Sequence, residues 1–194
     1  MDSKFNQQKV VIRKNIISFL GAKLQIFDGE GQPILYSHMK AFKLKEDIRL
    51  YNDESMQQEL LAIRARSMID FSATYDVFDG MKHEKVGAFR RKGMKSLLKD
   101  EWIILDTNDR EIGLIKEDNM LFALIRRVLP FPNLIPQSYD VEINGRRIST
   151  FKQDFNPFVM KLNLDFSLDS TMSFDRRMGI AAGILLCTIE GHQE

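Results

Sequence analysis

"MGIAAGILLCTIE", residues 178 to 190, is an almost unbroken apolar run in a chain that is otherwise polar and charge-balanced. It reads either as a membrane anchor or as the centre of a core. As a helix, Met178 to Ile189 would span about 18 Å against a hydrocarbon core of about 30 Å. Asp175, Arg176 and Arg177 block its extension upstream. The Gly179-x-x-x-Gly183 spacing matches the small-residue motif of paired membrane helices, which carries information only inside a longer apolar segment. The pattern fits better a helix that is apolar on every side and enclosed by the rest of the fold. Ser173 is its expected N-cap, Asp175 belongs to the first turn, and Gly191 closes the far end. An interior Gly costs about 1 kcal/mol relative to Ala, so Gly179 and Gly183 predict close approach of the surrounding structure.

Four segments share one grammar: an alternating strand, a turn rich in Asp, Asn or Gly, then a second strand. They are 24–36, 75–89, 102–115 and 139–151. The last turns at Asn144-Gly145, a two-residue sequence that suits a type I′ hairpin because both positions need positive φ. Strands are also predicted at 9–13, 42–51, 60–65 and 159–166; in the last, Met160, Leu162, Leu164 and Phe166 alternate with Lys161, Asn163 and Asp165. Short helices are predicted at 16–20, 92–98 and 119–128, the last followed by a loop with Pro130, Pro132 and Pro136. Many antiparallel strands and one wholly apolar helix imply a mainly β fold: a closed antiparallel barrel enclosing the C-terminal helix, which fills the lumen and removes free edges.

The chain has 194 residues, 44% hydrophobic and 28% charged, with a formal net charge of +1. No linker divides it, so residues 1–194 are expected to form a single domain. Cys187 is the lone cysteine and no N-x-Ser/Thr sequon occurs, which points to a reducing, cytoplasmic setting. Neither a signal peptide, a lipidation motif nor a transmembrane span is expected. Near-neutral charge argues against nucleic acid as a partner.

The stretch "FSATYDVFDGMKHEKVGAFRRKGMKSLLKDEWIILDTNDREIGLIKED", residues 71 to 118, resembles the LURP-one-related proteins. These are members of the tubby C-terminal-like superfamily, which also holds the phospholipid scramblases. The resemblance extends from the "VIRKNIISFLGAKLQIFD" opening to the terminal helix. It implies a closed antiparallel barrel around a central hydrophobic helix. It also implies a non-enzymatic module for anionic phospholipid or phosphoinositide headgroups, peripheral to a membrane. The alternative is a structural or protein-interaction domain without a lipid ligand. Fold analogy alone does not assign function.

Charge is most uneven in residues 82–99, where seven basic residues meet one acid; residues 100–118 reverse this, with seven acids against two basic residues. Arg90, Arg91, Lys92 and Lys95 are the candidate anionic-ligand site, each basic residue worth about 1 kcal/mol near anionic lipid. The opposing reading pairs them with the neighbouring acidic hairpin. Arg126-Arg127, Arg146-Arg147 and Arg176-Arg177 extend the patch if folding gathers them, although adjacent strand residues face opposite ways. Trp102, Phe131 or Phe158 exposed beside the cluster would suit membrane contact.

Asp106-Thr107-Asn108-Asp109 with Glu117 resembles a calcium loop in spacing, but Glu111 stands where that loop requires Gly, so a hairpin turn is the expected reading. His38, His83 and His192 are too scattered to suggest a metal centre. No nucleophile elbow, phosphate-cradling glycine loop or Cys/His pair is present, and neither catalytic residues nor a cofactor are expected.

Overall fold

The computed structural model describes residues 2–15, 21–40, 47–66, 73–92, 101–118, 136–154 and 159–189. Twelve strands form a closed barrel in which each pairs with its sequence neighbours and the first pairs with the last. In order they are β1 (Lys9–Asn15), β2 (Gly21–Asp28), β3 (Pro33–Lys40), β4 (Asp47–Tyr51), β5 (Glu59–Ala65) and β6 (Thr74–Asp79). The second half comprises β7 (Lys85–Arg91), β8 (Glu101–Leu105), β9 (Glu111–Glu117), β10 (Ser138–Ile143), β11 (Arg146–Asp154) and β12 (Val159–Asp165). Every pairing is antiparallel, and β1 closes on β12 from Lys9↔Asp165 to Asn15↔Val159.

The hairpins read from the sequence are present. Asn144 and Gly145 adopt φ of 50° and 76° between the paired residues Ile143 and Arg146, as a type I′ turn requires. Alternation sets the two faces: on β1, Val10, Ile12 and Lys14 are buried while Lys9, Arg13 and Asn15 are exposed. The predicted helices at 16–20 and 119–128, residues 93–98 of the third, and residues 42–46 of the predicted 42–51 strand lie outside the described residues. So do Gly191, Phe131 and Phe158.

The C-terminal helix α1 (Arg176–Ile189) has every residue buried except Arg177. Its two glycines show how closely the barrel wraps it. A Cβ at Gly183 would lie 2.7 Å from Ile12 Cδ1 and 3.0 Å from Leu164, and one at Gly179 would lie 2.5 Å from the Phe166 ring. At about 1.5 Å rise per residue α1 is about 21 Å long, and no described helix is long and apolar enough to cross a membrane.

The helix start differs from the sequence expectation. Asp175, not Ser173, is the N-cap: its Oδ1 accepts the Arg177 amide at 2.9 Å, and its carbonyl accepts the Gly179 amide at 3.2 Å. Ser173 is occupied elsewhere, donating its amide and hydroxyl to Asp169 Oδ1 at 2.9 and 2.7 Å. A hydroxyl committed to a buried carboxylate cannot also cap the helix.

Candidate functional site

Because the strands alternate in direction, the turns β2–β3, β4–β5, β6–β7, β8–β9 and β10–β11 share one barrel end with the start of α1. Met178 in the first turn of α1 lies against Gly87, and Arg177 donates to Asp79 at the end of β6 at 2.6 Å, which fixes the helix entry there. At the opposite end Lys14 Nζ donates to the Cys187 carbonyl at 2.9 Å. Burial pushes the Lys14 ammonium below its usual pKa, against an upward pull from Cys187.

The entry end carries the strongest buried ion pair. Arg176 and Asp169 meet at 2.6 Å with side-chain exposures of 2% and 1%. The Arg176 guanidinium also lies 4.7 Å from the centre of the Phe166 ring. Burial pushes the Asp169 carboxyl upward, but hydrogen bonds from Arg176, Ser173 and Phe174 outweigh it and hold the pKa at about 2. Arg176 therefore closes the barrel mouth from inside and is unavailable to a surface patch.

The sequence-predicted anion site divides between two faces. Arg91 follows Phe89 on the inner side of β7, whereas Arg90 and Lys92 point outward. Arg90 pairs with Glu111, and Lys92 Nζ lies 2.8 Å from Glu101 Oε2. Lys95 lies outside the described residues, as do Arg126 and Arg127. Arg146 and Arg147 stand on the β10–β11 turn side of the barrel, at the end opposite Arg90–Lys92, and Arg147 pairs with Asp140 at 3.4 Å. Arg146–Arg147 and Arg176–Arg177 thus share the end at which α1 begins, away from Arg90–Lys92, with Arg176 and Arg177 committed to Asp169, Asp79 and Asp175. Trp102 is buried against Tyr75, its ring centre 5.8 Å away, and offers nothing to a membrane.

Acid and base are interleaved along the wall. Arg66 contacts Asp76 and Asp109 at 2.5 and 2.8 Å, and Lys85 contacts the same acids at 3.2 and 2.6 Å. Hydrogen bonds from Arg66 and Lys85 hold the Asp109 carboxyl at about 2. The Asp106 carboxylate accepts the Asn108 and Arg110 amides at 2.8 and 2.9 Å, the bonding of a hairpin turn. Among the described residues no group of three or more His, Cys, Asp or Glu is placed to hold a metal ion.

The barrel end where α1 begins has a different character. Among the described residues the exposed large hydrophobics are Met56 (41%), Met81 (53%), Leu168 (55%) and Met172 (48%). Met56 stands in the β4–β5 turn, Met81 in the β6–β7 turn, and Leu168 and Met172 in the segment leading from β12 into α1. All three connections belong to this end. A recess of about 150 Å³ opens beside Met81, lined by Asp2, Phe5, Leu60, Asp79 and Lys82. The sequence reading passed over these side chains, although "NDESMQQ" (52–58), "DGMKHEK" (79–85) and "SLDSTMS" (167–173) each set an apolar residue in polar turn sequence.

Compared with protein-family models, curated proteins and solved structures, the chain matches none.

Proposed function

We propose that this chain is a non-enzymatic binding module that meets another protein through the barrel end at which α1 begins. The observation that carries this reading is that, among the described residues, Met56, Met81, Leu168 and Met172 stand exposed in connections at that end. Exposed apolar side chains that share one face of a fold are a candidate contact surface. With α1 threaded through the lumen, binding falls to the outside of the barrel.

A second reading has its own support. The Arg90–Glu111 and Lys92–Glu101 pairs are partly exposed. Such pairs contribute about 0–1 kcal/mol each, so a phosphate can compete for the cations. This is the anionic phospholipid or phosphoinositide reading that the LURP-one resemblance brings, with the module peripheral to a membrane on its cytoplasmic side.

Two measurements separate the readings. Vesicles of neutral, phosphatidylserine and phosphoinositide composition are sedimented with the protein at two salt concentrations. A photo-crosslinking residue is placed at position 81, or at 23 on the barrel wall, in a cell extract. The protein-contact reading expects no lipid-dependent sedimentation, and protein adducts from position 81 but not from 23. Salt-sensitive sedimentation that disappears in an Arg90→Ala/Arg91→Ala/Lys92→Ala variant would instead establish the lipid module.

A further inference from the structure

We infer that Met81 is a site of thioether oxidation whose stereochemistry Gln58 sets, an inference that goes beyond the protein-contact reading and does not depend on it. Met81 is 53% exposed, and Met56 and Met172 are also open to solvent, whereas Met39, Met160 and Met178 are buried. A peroxide therefore reaches the first three sulfurs and is kept from the last three. What sets Met81 apart is its partner. Gln58 Nε2 donates a hydrogen bond to Met81 Sδ at 3.2 Å. Among the described residues no hydrogen bond reaches the sulfur of Met56 or Met172.

The backbone fixes both partners. The Gly80 amide donates to the Leu60 carbonyl at 3.0 Å, and a Cβ at Gly80 would lie 2.6 Å from the Glu59 carbonyl oxygen, so the β6–β7 turn is pressed against the start of β5. The Met81 and Lys82 amides donate to Asp79 Oδ1 at 3.0 and 2.9 Å, and Arg177 donates to the other carboxylate oxygen at 2.6 Å. Burial pushes the Asp79 carboxyl upward, but these bonds outweigh it and keep its pKa below the ordinary value, so this anchor is ionised at neutral pH. Gln58 stands one residue before β5, where its carbonyl accepts the Asn52 amide at 3.1 Å. The thioether and the amide thus meet between two anchored turns.

A thioether sulfur carries two lone pairs on opposite sides of its C–S–C plane, and each is a weak hydrogen-bond acceptor. Oxygen transfer to one gives the R sulfoxide and to the other the S sulfoxide. The Gln58 N–H engages one lone pair and leaves the other to the oxidant. With hydrogen peroxide the free lone pair attacks one peroxide oxygen and the O–O bond breaks. The departing hydroxide takes the proton of the transferred oxygen, so sulfur gives up two electrons, the peroxide takes them, and the products are sulfoxide and water. Met81 lines a recess of about 150 Å³ with Phe5, Leu60 and Lys82, which is room for a peroxide molecule. Oxidation puts a polar, chiral side chain in place of the most exposed of the described methionines, at the end where α1 begins.

The test treats the full chain with dilute hydrogen peroxide, folded or in urea, and digests it. Each methionine peptide is then weighed by mass spectrometry before and after exposure to the S-specific or the R-specific methionine sulfoxide reductase, which separates the two epimers. Met56, Met81 and Met172 should oxidise in the folded chain while Met39, Met160 and Met178 stay reduced. At position 81 one epimer should exceed the other by about threefold or more, the size that one weak hydrogen bond supports, and the excess should vanish in urea. Gln58→Glu keeps the shape of the side chain but its carboxylate has no proton to donate, so it should bring position 81 to nearly equal epimers. Gln58→Leu should do the same, with circular dichroism confirming that both variants are folded. Equal epimers at position 81 in the folded wild type, a bias that survives both variants, or a Met81 that stays reduced while Met56 and Met172 oxidise would each overturn the inference.

Discussion

At its N-terminal end α1 enters the barrel among four charged side chains, Asp169, Asp175, Arg176 and Arg177, each bonded to a defined partner. At its C-terminal end it meets Lys14, reaching inward from β1 to the Cys187 carbonyl. The first arrangement is directional: a bidentate-capable guanidinium, an N-cap and a second arginine together fix the angle and depth of entry. The second sets a cation against the negative end of the helix dipole, which tolerates small displacements. One end therefore specifies the position of the helix, and the other compensates its carbonyl field.

The largest effect should follow from breaking the specifying end. Asp169→Ala leaves Arg176 buried without its carboxylate, and removing one partner of such a pair costs about 3–5 kcal/mol. Urea denaturation at neutral pH measures it; a loss under about 1 kcal/mol would mean that the pair behaves as an exposed one. The same carboxylate gives the acid limb a sign. Its folded pKa of about 2 lies below the ordinary 3.8, so its contribution is present above about pH 4 and fades as the pH falls toward 2. Asp169→Asn should flatten that part of the stability profile.

Between the ends, close packing replaces charge. Gly183→Leu must displace Ile12 and Leu164 and should cost about 1–3 kcal/mol or more by overpacking. An equally stable variant would show that the barrel yields around the helix. At the C-terminal end Lys14→Met exchanges a desolvated cation for an apolar chain. The change at neutral pH should stay within about 2 kcal/mol, the upper range for a cation at a helix C-terminus. Its signature lies in alkali. Burial lowers the folded pKa of Lys14, so the unfolded chain holds the proton more tightly, and wild-type stability should gain from deprotonation as pH rises toward 10.5. Lys14→Met should lack that gain.

The sequence shows the barrel and its helix more readily than the lock between them. Period-two alternation and the Asn144-Gly145 turn are local signals, and the run from Met178 is too apolar and too short for any place but a core. Arg176 and Arg177 misled for the same reason that Asp169 was overlooked. Nothing local distinguishes an arginine whose partner lies seven residues away across a turn from one that faces solvent. The N-cap moved from Ser173 to Asp175 because that same buried carboxylate claims the serine. The sequence groups Arg90, Arg91 and Lys92 in one candidate anion site, whereas strand alternation in the barrel turns Arg91 to the inner side, and the identity of their neighbours depends on strand order. The opposite charges of residues 82–99 and 100–118 meet in the structure because β7, β8 and β9 are adjacent.

The smallest effect tests whether such an outer pair shares anything with the inner one. Arg90 on β7 reaches Glu111 on β9 across the intervening β8, over the outer-face cluster of Ala88, Ile103, Leu105 and Leu114. Its aliphatic stem can shelter that cluster while the guanidinium stays wet. Arg90→Met keeps the stem and removes the charge; Arg90→Ala removes both. If the pair acts as exposed pairs do, Arg90→Met should cost no more than about 1 kcal/mol and the cost should vanish in high salt. Arg90→Ala should then lose more than Arg90→Met by a margin that salt does not change, because apolar shelter is not screened. Equal losses that both vanish with salt would assign the contact to charge alone, making the outer wall a weaker version of the Asp169–Arg176 lock rather than a different device.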